Sequence, residues 1–155
     1  MPLGRLGYRL AYVVLRVASQ VLHPRTRGVK CLVRHDGELL LVRHAYGTRA
    51  WDVPGGFARR GESFTDAARR ELREELAIGD TGTLTDLGVL RRRHLGRRET
   101  LGVVGVELPG RALTLDPYEL LRAGFFPPGA LPAHRADVVD ALLEHAAGLP
   151  PSDRG

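Results

Sequence analysis

The chain has 155 residues, of which 43% are hydrophobic and 26% are charged, and its formal net charge is +5. This length suits one domain or one domain with an appendage, and the hydrophobic share is large enough for a core, which excludes a disordered or fibrous chain. Cys31 is the only cysteine and Lys30 the only lysine. A single cysteine excludes an intramolecular disulfide, so we expect a cytoplasmic protein.

The first segment, residues 5–22, is predicted to form an amphipathic helix. Arg5, Arg9 and Arg16 share one narrow polar stripe, and leucines and valines fill the broad face opposite. Because arginines interrupt the apolar run, no part of it approaches the ~20 residues of a membrane-spanning helix. A face this apolar must be covered by something. The alternatives are the protein's own core, a second subunit in a homodimer, or a membrane surface, in which case the protein would be membrane-peripheral. These alternatives stay open, and we treat residues 1–27 as an N-terminal extension.

The pattern then changes to strands. Segments 29–33 and 39–42 flank Asp36-Gly37, a dipeptide typical of a two-residue hairpin turn. Further strand-like segments are 84–93 and 100–108, joined around Gly96, and 121–126, with loops expected over 44–51 and 109–118 and a sharp turn at Pro54-Gly55-Gly56.

Two helices are expected after these turns. The first covers 64–78, with Glu62 and Ser63 as its start signal, and the second covers 133–147. Residues 149–155 are expected to be a flexible tail. Helices intermixed with strands favour an α/β fold in which helices cover a sheet.

Three acidic residues are grouped on the first predicted helix. Glu71, Glu74 and Glu75 are spaced at i, i+3 and i+4, so they project from one side of the helix. Leu72 forms part of the neighbouring apolar stripe, so we expect the carboxylates to border the buried face. The alternative is a solvated acidic face whose repulsion is relieved by arginines such as Arg70.

The spacing around this cluster is specific. Gly56 is followed after five residues by Glu62, and after seven more by Arg70-Glu71-Leu72-Arg73-Glu74-Glu75-Leu76-Ala77-Ile78. This pattern resembles the Nudix box, G-x5-E-x7-R-E-U-x-E-E-x-G-U, where U is a bulky aliphatic residue, and meets eight of its nine specified positions. The resemblance implies a Nudix domain over residues 28–148 with the family's fold, an α/β/α sandwich around a mixed β-sheet.

The resemblance also implies a reaction. Members of the family hydrolyse a nucleoside diphosphate linked to another moiety, such as a nucleotide or a sugar, by attack of metal-activated water. The expected cofactor is Mg²⁺, with Mn²⁺ as an alternative, because hard cations take oxygen ligands. The expected partner is a small nucleotide-type diphosphate, with no obligate nucleic acid.

The resemblance assigns roles by position. Glu74 and Glu75 would be the principal metal ligands, and Glu71 a ligand or the general base. The remaining positions are the Gly55 carbonyl as a further ligand, Arg70 as the residue that orients the glutamates, and Glu62 and Gly56 as braces of the loop. Outside the box, the general base has three further candidates, which are Glu99, Glu107 and Glu119.

The one departure from the box is Ala77, which stands where the family has glycine. A glycine just past a helix often adopts the left-handed conformation that closes the last turn. Alanine would be strained in that conformation, so we expect the helix to continue and Gly79 to close it.

Weaker features leave other functions open. Candidates for substrate binding are Arg43, Trp51, Arg92 and Arg98. Residues 91–98 form an arginine-rich hairpin, which also fits a Nudix-fold module that binds nucleotide or RNA without catalysis. A third alternative is a membrane-peripheral pyrophosphatase that acts on a lipid-linked diphosphate.

Overall fold

The structure, a computed structural model, describes residues 27–149 and, within the preceding segment, Val14 alone. Apart from Val14 and Leu149, the helix predicted over 5–22 and the tail predicted over 149–155 lie outside these residues. Within the described part of the chain, no helix is long and apolar enough to cross a membrane.

Between residues 27 and 149 the chain forms seven strands, two α-helices and one 3₁₀ turn. In chain order they are β1 (Arg27–His35), β2 (Glu38–His44), β3 (Trp51–Asp52), β4 (Gly55–Phe57), α1 (Phe64–Leu76), β5 (Thr83–His94), β6 (Arg97–Glu107), β7 (Leu120–Phe126), the 3₁₀ turn (Pro128–Ala130) and α2 (Asp137–Ala147). The predicted hairpin is confirmed, since Asp36 and Gly37 both have positive φ at its turn.

The strands form one mixed sheet with β1 near its centre. β1 runs parallel to β6 and antiparallel to β2 and β4, while β6 pairs with β5 and β2 pairs with β3 and β7. Side chains alternate along β1, so Val29, Cys31 and Val33 pack in a core cluster with α1. Leu32 points to the other face of the sheet and packs in a second core cluster, which contains α2 residues such as Leu142. The helices therefore cover opposite faces, and the expected α/β/α sandwich is confirmed.

Two predicted boundaries are wrong. The sequence predicts a sharp turn at Pro54-Gly55-Gly56 and no strand there, but Gly55 and Gly56 pair with β1 as part of strand β4. The closing helix was expected to begin at 133 but begins at Asp137. The preceding residues are extended and bound to β3, because the His134 carbonyl accepts from the Trp51 amide and the Ala136 amide donates to the Trp51 carbonyl, at 3.0 and 2.8 Å.

The ends of α1 test the predicted helix signals. Ser63 caps the N-terminus, since its Oγ accepts a hydrogen bond from the Asp66 amide at 3.1 Å. At the other end, Ala77 adopts the left-handed conformation with φ 54° and ψ 29°, and its amide donates to the carbonyls of Arg73 and Leu72. The expectation that the helix continues to Gly79 is therefore wrong. Ile78, which is buried just past this turn, explains why the chain leaves the helix here.

Replacing Ala77 by glycine should raise the free energy of unfolding by roughly 0.5–1 kcal/mol. Glycine removes the left-handed strain of alanine, which is partly offset by the greater freedom of glycine in the unfolded chain. Urea denaturation of both proteins measures the difference. As a control, Gly79→Ala should leave stability unchanged or slightly raised, because Gly79 has no positive φ and its Cβ would meet open space. A destabilised Ala77→Gly would contradict the strain argument.

Candidate active site

The three predicted acids occupy one side of α1 but differ in burial. Glu71 and Glu75 are each only 1% exposed, whereas the Glu74 side chain is 34% exposed. The alternative of a fully solvated acidic face is therefore wrong for Glu71 and Glu75. Buried carboxylates are costly unless charged or polar partners compensate for the lost hydration. The helix thus places two such groups against the sheet and the third at the rim.

Strand β4 forms the opposite wall of the site. A Cβ on Gly56 would collide with the carboxylate of Glu71, and a Cβ on Gly55 would collide with the carbonyl oxygen of Val29. Both positions therefore require glycine, for packing and not for turn geometry. The absent side chains allow the β4 backbone to lie directly against the Glu71 carboxylate.

Arg70 connects the box residues. Its Nε and Nη2 donate to the two carboxylate oxygens of Glu62, each at 2.8 Å, and Nη1 donates to Glu71 Oε1 at 2.8 Å. Nη2 also donates to the Phe57 carbonyl at 2.8 Å, and Nη1 lies 3.5 Å from Glu74 Oε2. This planar, two-pronged pairing is the geometry for which arginine is suited. Arg70 therefore contacts two of the three acids, Glu71 and Glu74.

Glu62 ties the loop before α1 to this network. Its Oε2 accepts a hydrogen bond from the Arg59 amide at 2.8 Å. The hydrogen bonds from Arg70 lower the pKa of Glu62 from 4.5 to about 2, although partial burial acts against ionisation. The same hydrogen bonds raise the pKa of Arg70. Glu62 thus braces the loop as a permanently charged group at neutral pH.

The stabilising effect of Glu62 should disappear in acid. Because its folded-state pKa is lower than its unfolded value, the contribution is complete above about pH 4.5 and is lost as the pH falls toward about 2. We expect Glu62→Gln to lower the free energy of unfolding at pH 7 by on the order of 1–3 kcal/mol. The difference should shrink steadily below pH 4.5. A difference that stays constant between pH 7 and pH 2.5 in urea titrations would exclude this linkage.

The only cysteine lies within reach of the same acids. Cys31 is fully buried on the α1 side of β1, and burial raises the pKa of its thiol, with further contributions from the negative charges of Glu75 and Glu71. The thiol is therefore protonated at neutral pH and is not a thiolate ligand.

The donor set fits a hard divalent cation. Mg²⁺ and Mn²⁺ prefer oxygen ligands. The site offers such atoms in the carboxylates of Glu71, Glu74 and Glu75 and in the backbone carbonyls of β4. Among residues 27–149, no three His, Cys, Asp or Glu side chains are grouped so that they could hold a metal ion together. Mg²⁺ commonly takes one or two carboxylates and completes its shell with water and substrate phosphates, so these residues suit that mode.

The three acids proposed outside the box lie in different places. Glu99 accepts from Arg92 at 2.9 Å, and Glu107 is exposed at the end of β6. Glu119 is only 5% exposed. Its amide donates to the Asp116 carbonyl, and the Asp116 amide donates in turn to the carbonyl of Glu75, at 3.1 and 2.9 Å. Glu119 is therefore the candidate whose backbone is linked to the acidic end of α1.

The four weaker substrate-binding candidates do not form one group, although Arg43 and Trp51 are cross-strand neighbours. Trp51 packs edge-to-face on Phe126 at 5.0 Å, with the Arg43 guanidinium 5.8 Å from the Trp51 ring centre. Arg92 pairs with Glu99 across the β5–β6 hairpin, whereas Arg98 pairs with Arg93 and so projects from the other side. The structure thus places Arg92 on the α2 side of the sheet, and both Arg92 and Arg98 line a cavity of about 550 Å³ at the β5–β6 hairpin.

A cleft on the α2 side, lined by both charged and apolar side chains, was not anticipated from the sequence. Lys30, Asp52 and Asp137 line it together with Arg92. Two of its residues are distinctive in the sequence. Lys30 is the only lysine, and Asp52 lies just before the Pro54-Gly55-Gly56 segment. Neither feature could show that these residues, distant along the chain, share one cavity.

Comparison with known proteins supports the resemblance. A family model described as the NUDIX domain matches residues 23–144. That range is more than half of the chain, so the chain belongs to the Nudix family. No curated protein matches the chain in sequence.

Solved structures agree on the fold. The MutT NUDIX hydrolase from Burkholderia pseudomallei is 23% identical with a TM-score of 0.68, over 77% of this chain and 96% of that one. The E. coli ORF135 protein is 26% identical with a TM-score of 0.63, over 83% and 94%. The E. coli dihydroneopterin triphosphate pyrophosphohydrolase is 18% identical with a TM-score of 0.68, over 82% and 97%. The expected fold and family are thereby confirmed.

Proposed function

We propose that the protein is a metal-dependent hydrolase of a nucleoside diphosphate linked to another moiety. The observation that carries the proposal is the burial of two carboxylates on one side of α1, those of Glu75 and of Glu71. Glu71 lies against Gly56 and accepts a hydrogen bond from Arg70. Two neighbouring buried acids repel each other, and a divalent cation bound between them would offset that repulsion. The names of similar proteins, which include a hydrolase and a pyrophosphohydrolase, agree with this chemistry.

In the proposed reaction, water attacks one phosphorus of the diphosphate and the bond to the bridging oxygen breaks. The products are a nucleoside monophosphate and a phosphorylated remainder. A bound divalent cation would neutralise phosphate charge and acidify the attacking water. Glu74, Glu75 and the Gly55 carbonyl would hold that cation, with Glu71 as a further ligand or as the base.

Glu119 adds a second candidate for the base. It is buried, and its backbone is linked through Asp116 to the carbonyl of Glu75. A carboxylate outside the box would accept the proton of the attacking water without giving up a bond to the cation. Glu99 suits this role less well, because Arg92 already occupies its carboxylate.

The test is a release assay with purified full-length protein. Nucleoside triphosphates, dinucleotides, nucleotide sugars and CDP-alcohols are incubated with Mg²⁺ or Mn²⁺, and the products are separated by chromatography. We expect at least one compound to yield a nucleoside monophosphate, with turnover abolished by EDTA. Salt-sensitive binding of nucleotide or RNA without turnover of any compound would instead favour the non-catalytic binding module.

A further inference from the structure

The tip of the β5–β6 hairpin carries an exposed leucine. Leu95 is 88% exposed, the largest value among the exposed large hydrophobic residues of the described chain. It is the first of two turn residues between His94 and Arg97, and both have positive φ, 48° for Leu95 and 76° for Gly96. Such turns favour asparagine, aspartate or glycine at the first position. The local backbone therefore disfavours leucine here, and no packing within the described residues compensates for it.

Three arginines next to this tip have no carboxylate partner. Arg93 and Arg98 are cross-strand neighbours and Arg91 lies two residues before Arg93, so all three project from the α1 side of the sheet. They line the cavity of about 550 Å³ at the hairpin, and we call them the cavity arginines. Within the described residues, none of them takes part in a hydrogen bond or an ion pair. The one carboxylate that lines this cavity, Glu99, is already paired with Arg92.

Positive charge is concentrated in two segments of the chain. Residues 1–26 and 91–98 contain nine arginines and no aspartate or glutamate, whereas the other 121 residues contain 14 Lys or Arg and 18 Asp or Glu. The formal net charge is thus +9 in these two segments and −4 in the rest. Residues 1–26 therefore offer no carboxylate to the cavity arginines. A partner that covers both segments has to be anionic.

The two positive segments meet the sheet at the same end. β1 begins at Arg27, which pairs with Thr100, and Thr100 lies four residues after Gly96 at the hairpin tip. The chain that precedes β1 thus joins the sheet beside the hairpin. Residues 5–22 are predicted from the sequence to combine a broad apolar face with a stripe of arginines, and the hairpin combines the same two features. A surface that is anionic and has an apolar interior would match both segments.

We propose that the β5–β6 hairpin docks on an anionic membrane surface, with the Leu95 side chain in the interface and the cavity arginines on the lipid head groups. An anionic bilayer supplies both the negative charge and the apolar layer that these side chains lack. A nucleic acid would neutralise the arginines but would give Leu95 no apolar layer to enter. The inference does not depend on the proposed function, because docking requires no hydrolysis.

Binding of the full-length protein to lipid vesicles tests the proposal. Vesicles of phosphatidylcholine alone and of phosphatidylcholine mixed with phosphatidylserine are added in increasing amounts, and the bound fraction is measured by sedimentation. We expect binding to the mixed vesicles only. Added salt should weaken that binding, because it screens the attraction between arginines and anionic lipid.

The contribution of the tip is measured with Leu95→Asn. This change should lower the partition coefficient on mixed vesicles about fivefold to tenfold, because it removes the apolar side chain from the interface. Asparagine suits the turn, so stability against urea should be unchanged or raised, and unfolding cannot then explain the loss. Leu121→Asn is the control, since Leu121 is 48% exposed on β7, away from the hairpin. Its partition coefficient should stay within twofold of wild type.

The contribution of the arginines is measured with the double variant Arg93→Gln and Arg98→Gln. Each arginine close to an anionic surface raises the partition coefficient roughly fivefold, so we expect a loss of about tenfold to thirtyfold. The control is Arg73→Gln with Arg122→Gln, which removes the same charge from exposed positions on α1 and β7. That control should lose less than threefold. Equal losses in the two double variants would show attraction by overall charge and would overturn docking through the hairpin.

A dye at the tip detects insertion directly. Cys31 is fully buried, so the full-length Leu95→Cys variant can be labelled at position 95 with the environment-sensitive dye NBD under native conditions. Its emission should shift to the blue with mixed vesicles, and not with phosphatidylcholine alone or with single-stranded RNA. The same dye placed through Leu121→Cys should show no shift. A shift at both positions, or at neither, would overturn the proposal.

Two further outcomes would also overturn it. Binding to mixed vesicles that is equal in wild type and all hairpin variants would assign the contact to another part of the chain, such as residues 5–22. Binding of RNA that requires Arg93 and Arg98 but not Leu95, without binding to vesicles, would assign the hairpin to a nucleic acid. Neither outcome affects the proposed hydrolase, whose release assay contains no lipid.

Discussion

Replacing Glu74 by glutamine should lower kcat about 10²–10³-fold on any diphosphate that the protein hydrolyses, with little change in stability. The loss is the size expected when one charged group is removed from the stabilisation of a transition state. Glu74 is the best of the three acids for this test because it is the one at the rim, 34% exposed. Its ion pairs with Arg70 and Arg59 are long, at 3.5 and 3.8 Å. Glutamine keeps the shape and removes the charge.

The matched control is Glu107→Gln. The sequence makes Glu107 a base candidate, but it is exposed and pairs with Arg34, at the end of β1 away from the segment that pairs with β4. The same chemical change there should therefore leave kcat within twofold of wild type. The Mg²⁺ concentration for half-maximal rate should rise in Glu74→Gln and not in Glu107→Gln. Equal rates in both variants, at saturating Mg²⁺, would remove Glu74 from the proposed metal ligands and leave Glu71 and Glu75.

Short-range signals made most of the fold predictable. The Asp36-Gly37 turn and the Ser63 cap each depend on residues within a few positions, and both lie where the sequence places them. The spacing of the box acids on α1 follows from helix geometry alone. The sequence could not give their burial, because the wall that covers Glu71 is the Gly56 backbone, brought there by pairing with β1.

The errors came where tertiary contacts outweigh local preference. Ala77 adopts a conformation that its side chain disfavours, because the chain must turn there to bury Ile78. Residues 133–136 have a helical sequence pattern, but β3 binds them as an extended segment. The cleft joins Lys30, Asp52 and the β5–β6 hairpin, and no local pattern links residues so far apart along the chain.

Replacing Arg70 by methionine should cause the largest loss of stability, about 3–5 kcal/mol. Its guanidinium makes hydrogen bonds to Glu62, Glu71 and the Phe57 carbonyl, and it is mostly covered. Methionine keeps the apolar stem of the side chain but removes these bonds. The buried Glu71 carboxylate would then lose its guanidinium, and the loop before α1 would lose its link to the helix. Urea denaturation at pH 7 measures the change.

Arg69→Met is the matched control, one position away on the same helix. Arg69 pairs with Asp66 at 3.1 Å, but these side chains are 45% and 64% exposed, so the loss should be about 0–1 kcal/mol. Equal losses in the two variants would show that the Arg70 network contributes no more than a surface ion pair. A double-mutant cycle of Arg70→Met with Glu62→Gln sharpens the test, since coupling of about 1–3 kcal/mol is expected for residues in one network. The coupling should fall as the pH drops from 4.5 toward 2, because the unfolded chain then binds a proton at Glu62 that the folded chain binds only near pH 2.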